Sequence, residues 1–476
     1  MRLLLSTTLF LWSLYSIGQT NSNFITKQKA IDDLKIFETS LREIHPNIYR
    51  YTPKFEFDKS LENAKNSIKD TISVNQFYNL VAAIIERVHC GHTFGITSFT
   101  DDKRGLLPLD IKILNDKIFV FRNFSTSTEL QPGSEILTIN GISANDLLLD
   151  FRKKSIADGY GLTFKDRTIE RDFKWKYATF INQPDSFKIT FKDNQSEAEK
   201  NLSLGAVSND LINQKVKRLE LPVEKPLDCF VDTKNNVAVL KLKSFMAQSI
   251  KKQSGQNLKR TIKRSFKEIS KSEVDNLIID IRWNLGGKAY APPLLFSYVT
   301  DKSFKFKRKL IFRHGYKFTY PEFLNRNKFD DWVNRKLDKR INDSTFEWTH
   351  HPNTRKTYKE KTNSFLGNLY IVINGMTASG GAEFASLADA NGRGVFVGEE
   401  TGGDYNGVNG GERTYLVLPN SKIGVLIAGR RNVMAWDEIK NIGHGVPPNH
   451  EVRPTIEDLL TGQDPEIKFI YELIKK

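Results

Sequence analysis

Only two cysteines, Cys90 and Cys229, occur in 476 residues, which excludes a disulfide-dense scaffold and any zinc site built from three or four thiolates. Long apolar runs are equally scarce. Beyond the N-terminus no segment approaches the roughly 20 apolar residues that a membrane-spanning helix requires. Acidic side chains fall short of basic ones, 56 against 71, and the resulting charge of +15 suits anionic partners without selecting one. The glycine clusters Asn391-Gly392-Arg393-Gly394 and Gly402-Gly403 lack the strand, glycine-rich turn and helix order that cradles phosphates, so no nucleotide cofactor is expected. No internal repeat is visible. What the chain has in quantity is aromatic material, 32 Phe, 15 Tyr and 6 Trp, enough for the packed cores of a globular protein of two to four domains.

The first residues, Met1-Arg2, an apolar stretch from Leu3 to Tyr15, then Ser16-Ile17-Gly18, have the order of a secretory signal peptide over residues 1–18. Cleavage before Gln19 leaves an exported, soluble protein, periplasmic or secreted, and no cysteine follows to carry a lipid anchor. From Lys27 to Val88 apolar residues recur at three- and four-residue spacing, as in Ile31, Leu34, Phe37, Leu41 and Phe77, Val81, Ile84, Ile85. This predicts a helical N-terminal domain over residues 19–97, with Gly91 suited to end the last helix in a left-handed conformation and His92 on the loop beyond it.

After Leu106 the period becomes strand-like, with runs at 111–114, 118–121 and 136–139, the last closed by an Asn140-Gly141 turn. The stretch Leu130-Gln131-Pro132-Gly133-Ser134-Glu135-Ile136-Leu137-Thr138-Ile139-Asn140-Gly141-Ile142 resembles the Pro-Gly turn and buried strand of PDZ domains, which implies a PDZ-like module within residues 98–230. A generic β-barrel is the alternative. From Val237 strands alternate with amphipathic helices, an α/β pattern that runs through residues 231–460 and is followed by a C-terminal helix, 461–476. Residues 301–361 interrupt it with 17 Lys and Arg against 8 Asp and Glu and many aromatics. That insertion is expected to form a basic, aromatic-lined wall near the active-site mouth, or a solvated basic face over a small extra core.

Chemistry concentrates at two turns. Ile371-Val372-Ile373 leads through Asn374-Gly375-Met376-Thr377-Ala378 into a helix that begins just after Ser379. A serine there is either a plain N-cap or a nucleophile whose attack product is stabilised by the N–H of Gly380 and the helix dipole. Asp280-Ile281-Arg282-Trp283-Asn284-Leu285-Gly286-Gly287 closes another buried strand, and Gly286 or Gly287 is placed to give the second oxyanion donor. The alternative is a tight strand-to-helix turn.

These two motifs, with Asn391-Gly392-Arg393, Val397-Gly398-Glu399-Glu400-Thr401-Gly402-Gly403 and Gly445-Val446-Pro447-Pro448-Asn449, resemble the C-terminal processing, or tail-specific, serine proteases and their tricorn-core relatives. The resemblance implies a multidomain α/β fold of the ClpP/crotonase-like type, peptide or protein substrates, no cofactor, and Ser379 as nucleophile. Asp404 stands where the processing branch carries its lysine base. Cys90-Gly91-His92-Thr93 is similar to the Asp-Gly-His-Thr of the tricorn-like branch, which implies His92 as general base, with His89 in reserve and activity rising near the ordinary histidine pKa of roughly 6.5. Glu438 falls about where relatives place a third triad member, and Glu383 competes for that role. His89 and His92 lack the acidic partner of a zinc motif, so no metal is expected. Nucleic acid is excluded by export and by the absence of a binding motif. A binding protein that keeps the fold without hydrolysis is the alternative function.

Overall fold

The computed structural model describes residues 24–96, 105–193, 198–219, 225–313, 318–325, 332, 336, 339–342, 345–436 and 440–475. The expected signal peptide and Glu438 lie outside these residues.

Three helices, Lys27–Ile44, Lys54–Ser67 and Val74–Glu86, open the described chain. Ser73 and Gln76 close a capping box on the third, satisfying backbone donors that a helix start leaves unpaired. Its apolar stripe, Phe77, Val81, Ile84 and Ile85, is buried. The chain turns sharply after it, but the left-handed residue is His89, with φ 50°, rather than Gly91. Gly91 is small for a different reason: a Cβ there would sit 3.2 Å from the Asp158 carboxylate.

The strands expected after Leu106 form an antiparallel sheet in the order Leu109–Leu114, Lys117–Asn123, Glu135–Ile139, Ser186–Lys192, Glu199–Gly205. Asn140 and Gly141 both take positive φ, 51° and 79°, and join Ile139 to its partner Ile142 as a two-residue hairpin requires. This sheet, the helices Ala144–Arg152 and Leu162–Phe180, and the N-terminal helices share one apolar core.

A second core surrounds a six-stranded sheet: Leu227–Asp232, Val237–Leu242, Asn276–Asp280, Asn368–Ile373, Val395–Gly398 and His450–Glu451. All neighbours are parallel except the first pair. Helices Leu258–Lys271 and Gly380–Ala390 contribute to the core on one face and Pro465–Ile474 covers the other. With both faces covered, Asn276–Asp280 is buried at every position, which explains its unbroken apolar reading. The carboxyl ends of the adjacent strands Asn276–Asp280 and Asn368–Ile373 release the two glycine-rich turns side by side, the usual place for a site in a parallel sheet.

The basic insertion is woven into the fold. Its strand Lys307–Arg313 pairs with Arg430–Met434, and Leu324–Asn325 pairs with Arg413–Val417. Five of its aromatics are buried: Phe304, Phe306 and Tyr358 join the main core, while Phe312 and Trp348 pack with Leu310 in a small core of their own. The expected aromatic lining is therefore replaced, at these five residues, by a basic face over extra core.

Candidate active site

Ser379 sits at φ 49°, ψ −123° and its side chain makes no capping hydrogen bond. An N-cap serine takes extended angles and accepts from the helix, as Ser73 does at φ −68°, ψ 149°. The positive φ of a non-glycine residue stores strain that only a constrained turn sustains. The constraints are visible. Asn374 Oδ1 accepts from the backbone N–H of Trp283 and Met376 at 3.0 and 3.1 Å. Thr377 donates its hydroxyl to the Ile281 carbonyl at 2.9 Å, and Ala378 N–H donates to the Asn284 carbonyl at 3.0 Å. Gly375 N–H reaches Glu399 at 3.0 Å.

Glycine is needed where the two turns meet. A Cβ on Gly286 would lie 2.4 Å from Gly380 N and 2.9 Å from Ser379 Cβ. The Gly286 N–H, however, already donates to Asn284 Oδ1 at 2.9 Å, so Gly286 is not free as a donor. The N–H groups of Gly287 and Gly380 have no hydrogen-bond partner among the described residues, and Gly287 N lies 3.5 Å from where a Gly380 Cβ would be.

His92, distant in sequence, arrives beside this turn. Its Nε2 is 3.2 Å from Ser379 Oγ. Thr93 anchors the loop by accepting from Ala428 N–H at 3.1 Å, and Gly410 lies against the imidazole, where a Cβ would come within 3.2 Å of the ring. His89 is directed elsewhere: its Nδ1 meets the Gly159 carbonyl at 3.0 Å and its ring packs edge-on to Tyr51 and Tyr160.

The Nδ1 of His92 is buried and without a hydrogen bond, and the carboxylate facing it is Asp158, with Oδ2 at 4.0 Å. Asp158 is itself fixed by Gly91 N–H, which donates to Oδ1 at 2.8 Å. Glu383 faces away from this pair. It accepts from Lys307 at 3.1 Å and Asn432 at 3.4 Å, and its own N–H continues the helix to Ser379 O at 2.8 Å. Asp404, at the position of the processing branch's lysine, is buried, accepts from the Tyr51 hydroxyl and lies 3.6 Å from Arg50.

Burial holds the His92 pKa down at about 4, with the cations Arg413 and Arg430 adding to the effect. The imidazole is thus neutral through the whole physiological range, not poised at its ordinary value. Asp158 moves the opposite way. Burial pushes it up to about 7, and Asp404 reinforces the rise against the Gly91 hydrogen bond and the cations Arg431 and Arg50. Asp158, Gly410 and the Asp404–Tyr51 contact escaped the sequence reading. Asp158-Gly159 looks like any loop dipeptide, and no period relates residues 51, 158 and 404. Among the described residues no group of three or more His, Cys, Asp and Glu is arranged to hold a metal ion.

Residues 236–411 match peptidase family S41. The structure of mature CPAF is similar over 94% of this chain and 97% of its own, at 16% identity and TM-score 0.62. CPAF complexed with lactacystin gives 94%, 98%, 16% and 0.63. The photosystem II D1 C-terminal processing protease is 13% identical over 94% of this chain and 97% of its own, with TM-score 0.41. At such identities the CPAF structures establish a shared fold. Ser379, Gly287 and Gly380 all lie inside the residues that match peptidase family S41.

Proposed function

We propose that this protein is an exported peptidase that hydrolyses peptide bonds by a serine–histidine mechanism. The reading rests above all on one observation: Ser379 is held out of its capping role with Oγ 3.2 Å from His92 Nε2. In this mechanism Ser379 Oγ attacks the substrate carbonyl while Nε2 takes its proton. The N–H groups of Gly287 and Gly380 receive the oxyanion. Collapse of the tetrahedral species breaks the C–N bond as the imidazolium returns the proton to the leaving amine, and water then repeats the sequence on the acyl-enzyme. Ionised Asp158 orients the imidazole through Nδ1 and stabilises its charged form. Glu438, assigned this role by the resemblance, is the competing carboxylate, and Asp158→Asn compared with Glu438→Gln separates them.

The antiparallel sheet between Leu109 and Gly205 is proposed as the PDZ-like module of residues 98–230, set between a helical domain of 19–97 and the peptidase core of 231–460. Labelling with a fluorophosphonate probe, followed by peptide mapping, tests the mechanism. Covalent label on Ser379, absent in Ser379→Ala, is the expected result. A folded protein that neither labels nor cleaves peptides is instead a binding protein on the same fold. Lactacystin, the ligand of one similar structure, is a second active-site probe.

A further inference from the structure

Four arginines approach the wall that carries His92, and three are occupied. Arg430 pairs with Glu412 at 2.9 Å and donates to the Gly410 carbonyl at 2.9 Å. Arg431 donates to the carbonyls of Gly407 and Asn406 at 2.8 and 3.3 Å. Arg50 lies 3.6 Å from Asp404. The Arg413 side chain has neither a hydrogen bond nor an ion pair among the described residues, and the residue is exposed.

Sheet register fixes where it stands. Arg413 is paired with Ala428, and the next strand runs Leu426↔Phe94, Val425↔Gly95. That strand begins at Phe94, and the turn before it, which holds His92, is tied to the sheet by the Ala428 N–H donating to Thr93 Oγ1 at 3.1 Å. Arg413 and Ala428 thus share the face opposite the buried Thr414 and Leu416, and the His92 loop follows across Ala428. At about 4.8 Å per strand, the Arg413 backbone lies about 10 Å from that of the His92 loop. It is close enough for its charge to act on His92. Half-buried Phe94, Tyr415 and Leu426 share this face.

Building on the peptidase reading, we propose that Arg413 is a specificity residue that binds a substrate carboxylate on the leaving-group side of the scissile bond. The side follows from the chemistry, because the imidazole that returns a proton to the leaving amine must face that half of the substrate. The distance follows from the backbone: about 10 Å of extended chain is about three residues at 3.3 Å each, so the carboxylate belongs to the second or third residue beyond the cleaved bond. Either an Asp or Glu side chain or the free C-terminus supplies the same anion, and a guanidinium takes both bidentately.

The test uses quenched peptides of one cleavable sequence that end two or three residues after the scissile bond as free acid or amide, and longer ones carrying Glu, Gln or Lys at those positions. The wild type is expected to prefer carboxylate over its neutral counterpart at least tenfold in kcat/KM. Arg413→Gln is expected to collapse that ratio toward one, Arg413→Lys to restore part of it, and Arg413→Glu to turn the preference toward Lys. The acid–amide arm identifies a C-terminal carboxylate and the Glu–Gln arm a side chain. Ratios unchanged in Arg413→Gln overturn the proposal. Affinities of the same peptides for Ser379→Ala and for Ser379→Ala/Arg413→Gln test the carboxylate site without turnover, so failure of the peptidase reading is distinguishable from failure of this one.

Discussion

Ser379 is set mainly by contacts from residues 281–287 and 374–402, two neighbouring turns and the strand and loop beside them. His92 is set by Thr93, Ala428, Gly410 and Asp158, which meet only after two cores have formed. The nucleophile side is therefore a local device of the parallel sheet, rigid as soon as that sheet exists. The base side is a wall assembled across the molecule, and its electrostatics depend on how completely it closes. Burial lowers the histidine and raises the aspartate only while water is kept out.

Changes on the two sides should accordingly fail in different ways. The largest effect is expected from Ser379→Ala, which removes the attacking oxygen while leaving the turn's backbone bonds in place. Peptide hydrolysis should disappear with the unfolding midpoint within a few degrees of wild type. Full activity in the purified variant breaks the assignment of the nucleophile side. Next is His92→Ala, for which a loss of roughly 10³–10⁶ in kcat is expected from removing the proton acceptor. His89→Ala should cost less than tenfold, since its ring contacts Gly159 and two tyrosines rather than Ser379. Equal losses in steady-state assays would erase the distinction between the two histidines.

Asp158→Asn sharpens the comparison through its pH dependence. In wild type the aspartate is ionised above about 7 and the histidine is neutral above about 4, so kcat/KM should climb mainly through pH 7. Asn removes that limb, lowers the plateau by roughly 10²–10⁴, and leaves the lower limb in place. A profile unchanged in shape assigns the limb to another group. Stability should respond with the opposite sign. A carboxyl whose folded pKa is raised above its unfolded 3.8 stabilises the fold when protonated, and that contribution is lost as pH rises from about 4 to about 7. At pH 8 the asparagine variant is expected to be more stable than wild type by up to a few kcal/mol, at about 1.4 kcal/mol per unit, and so to melt higher, whereas at pH 4 the two should match. A lower melting point at pH 8 contradicts the buried, costly aspartate.

The same contrast explains what could be read in the sequence. The strand runs at 277–281 and 369–373 are apolar because both faces of the sheet are covered, and the residues that shape Ser379 follow directly in the chain, so motif and geometry coincide. His92 was reachable only through resemblance. Asp158 carried no signal at all: its role depends on the loop between Ala144–Arg152 and Leu162–Phe180 meeting Gly91, and nothing in either segment encodes the partner. For the insertion the sequence leaves two readings open, an aromatic-lined wall or a basic face over a small extra core, and the strand Lys307–Arg313 favours the second, with Leu310 and Phe312 buried between half-buried Lys309, Ile311 and Arg313. Gly286 was misassigned because a side chain, Asn284, claims its N–H, a contact that spacing cannot show.

The smallest expected effect concerns the two thiols, one on each side of the comparison. Cys90 lies beside the base loop, fully buried, and Cys229 lies in the edge strand Leu227–Asp232, half-buried; both are unpaired. Burial pushes each thiol up to about 11, so at pH 8 neither should be appreciably ionised in the native protein, and thiolate is the reactive form. Titration with an aromatic disulfide reagent should find two thiols after unfolding and almost none at first in the folded protein. The slow native reaction then reports local opening. Cys229 is expected to react first, since only an edge strand must fray to expose it. Cys90 should follow at a rate that Asp158→Asn alters, because the loop bearing Cys90 is tied to residue 158 through Gly91. If Cys90 reacts faster than Cys229, the base wall opens more readily than the sheet edge; if Asp158→Asn leaves the Cys90 rate untouched, the wall does not hang on that contact.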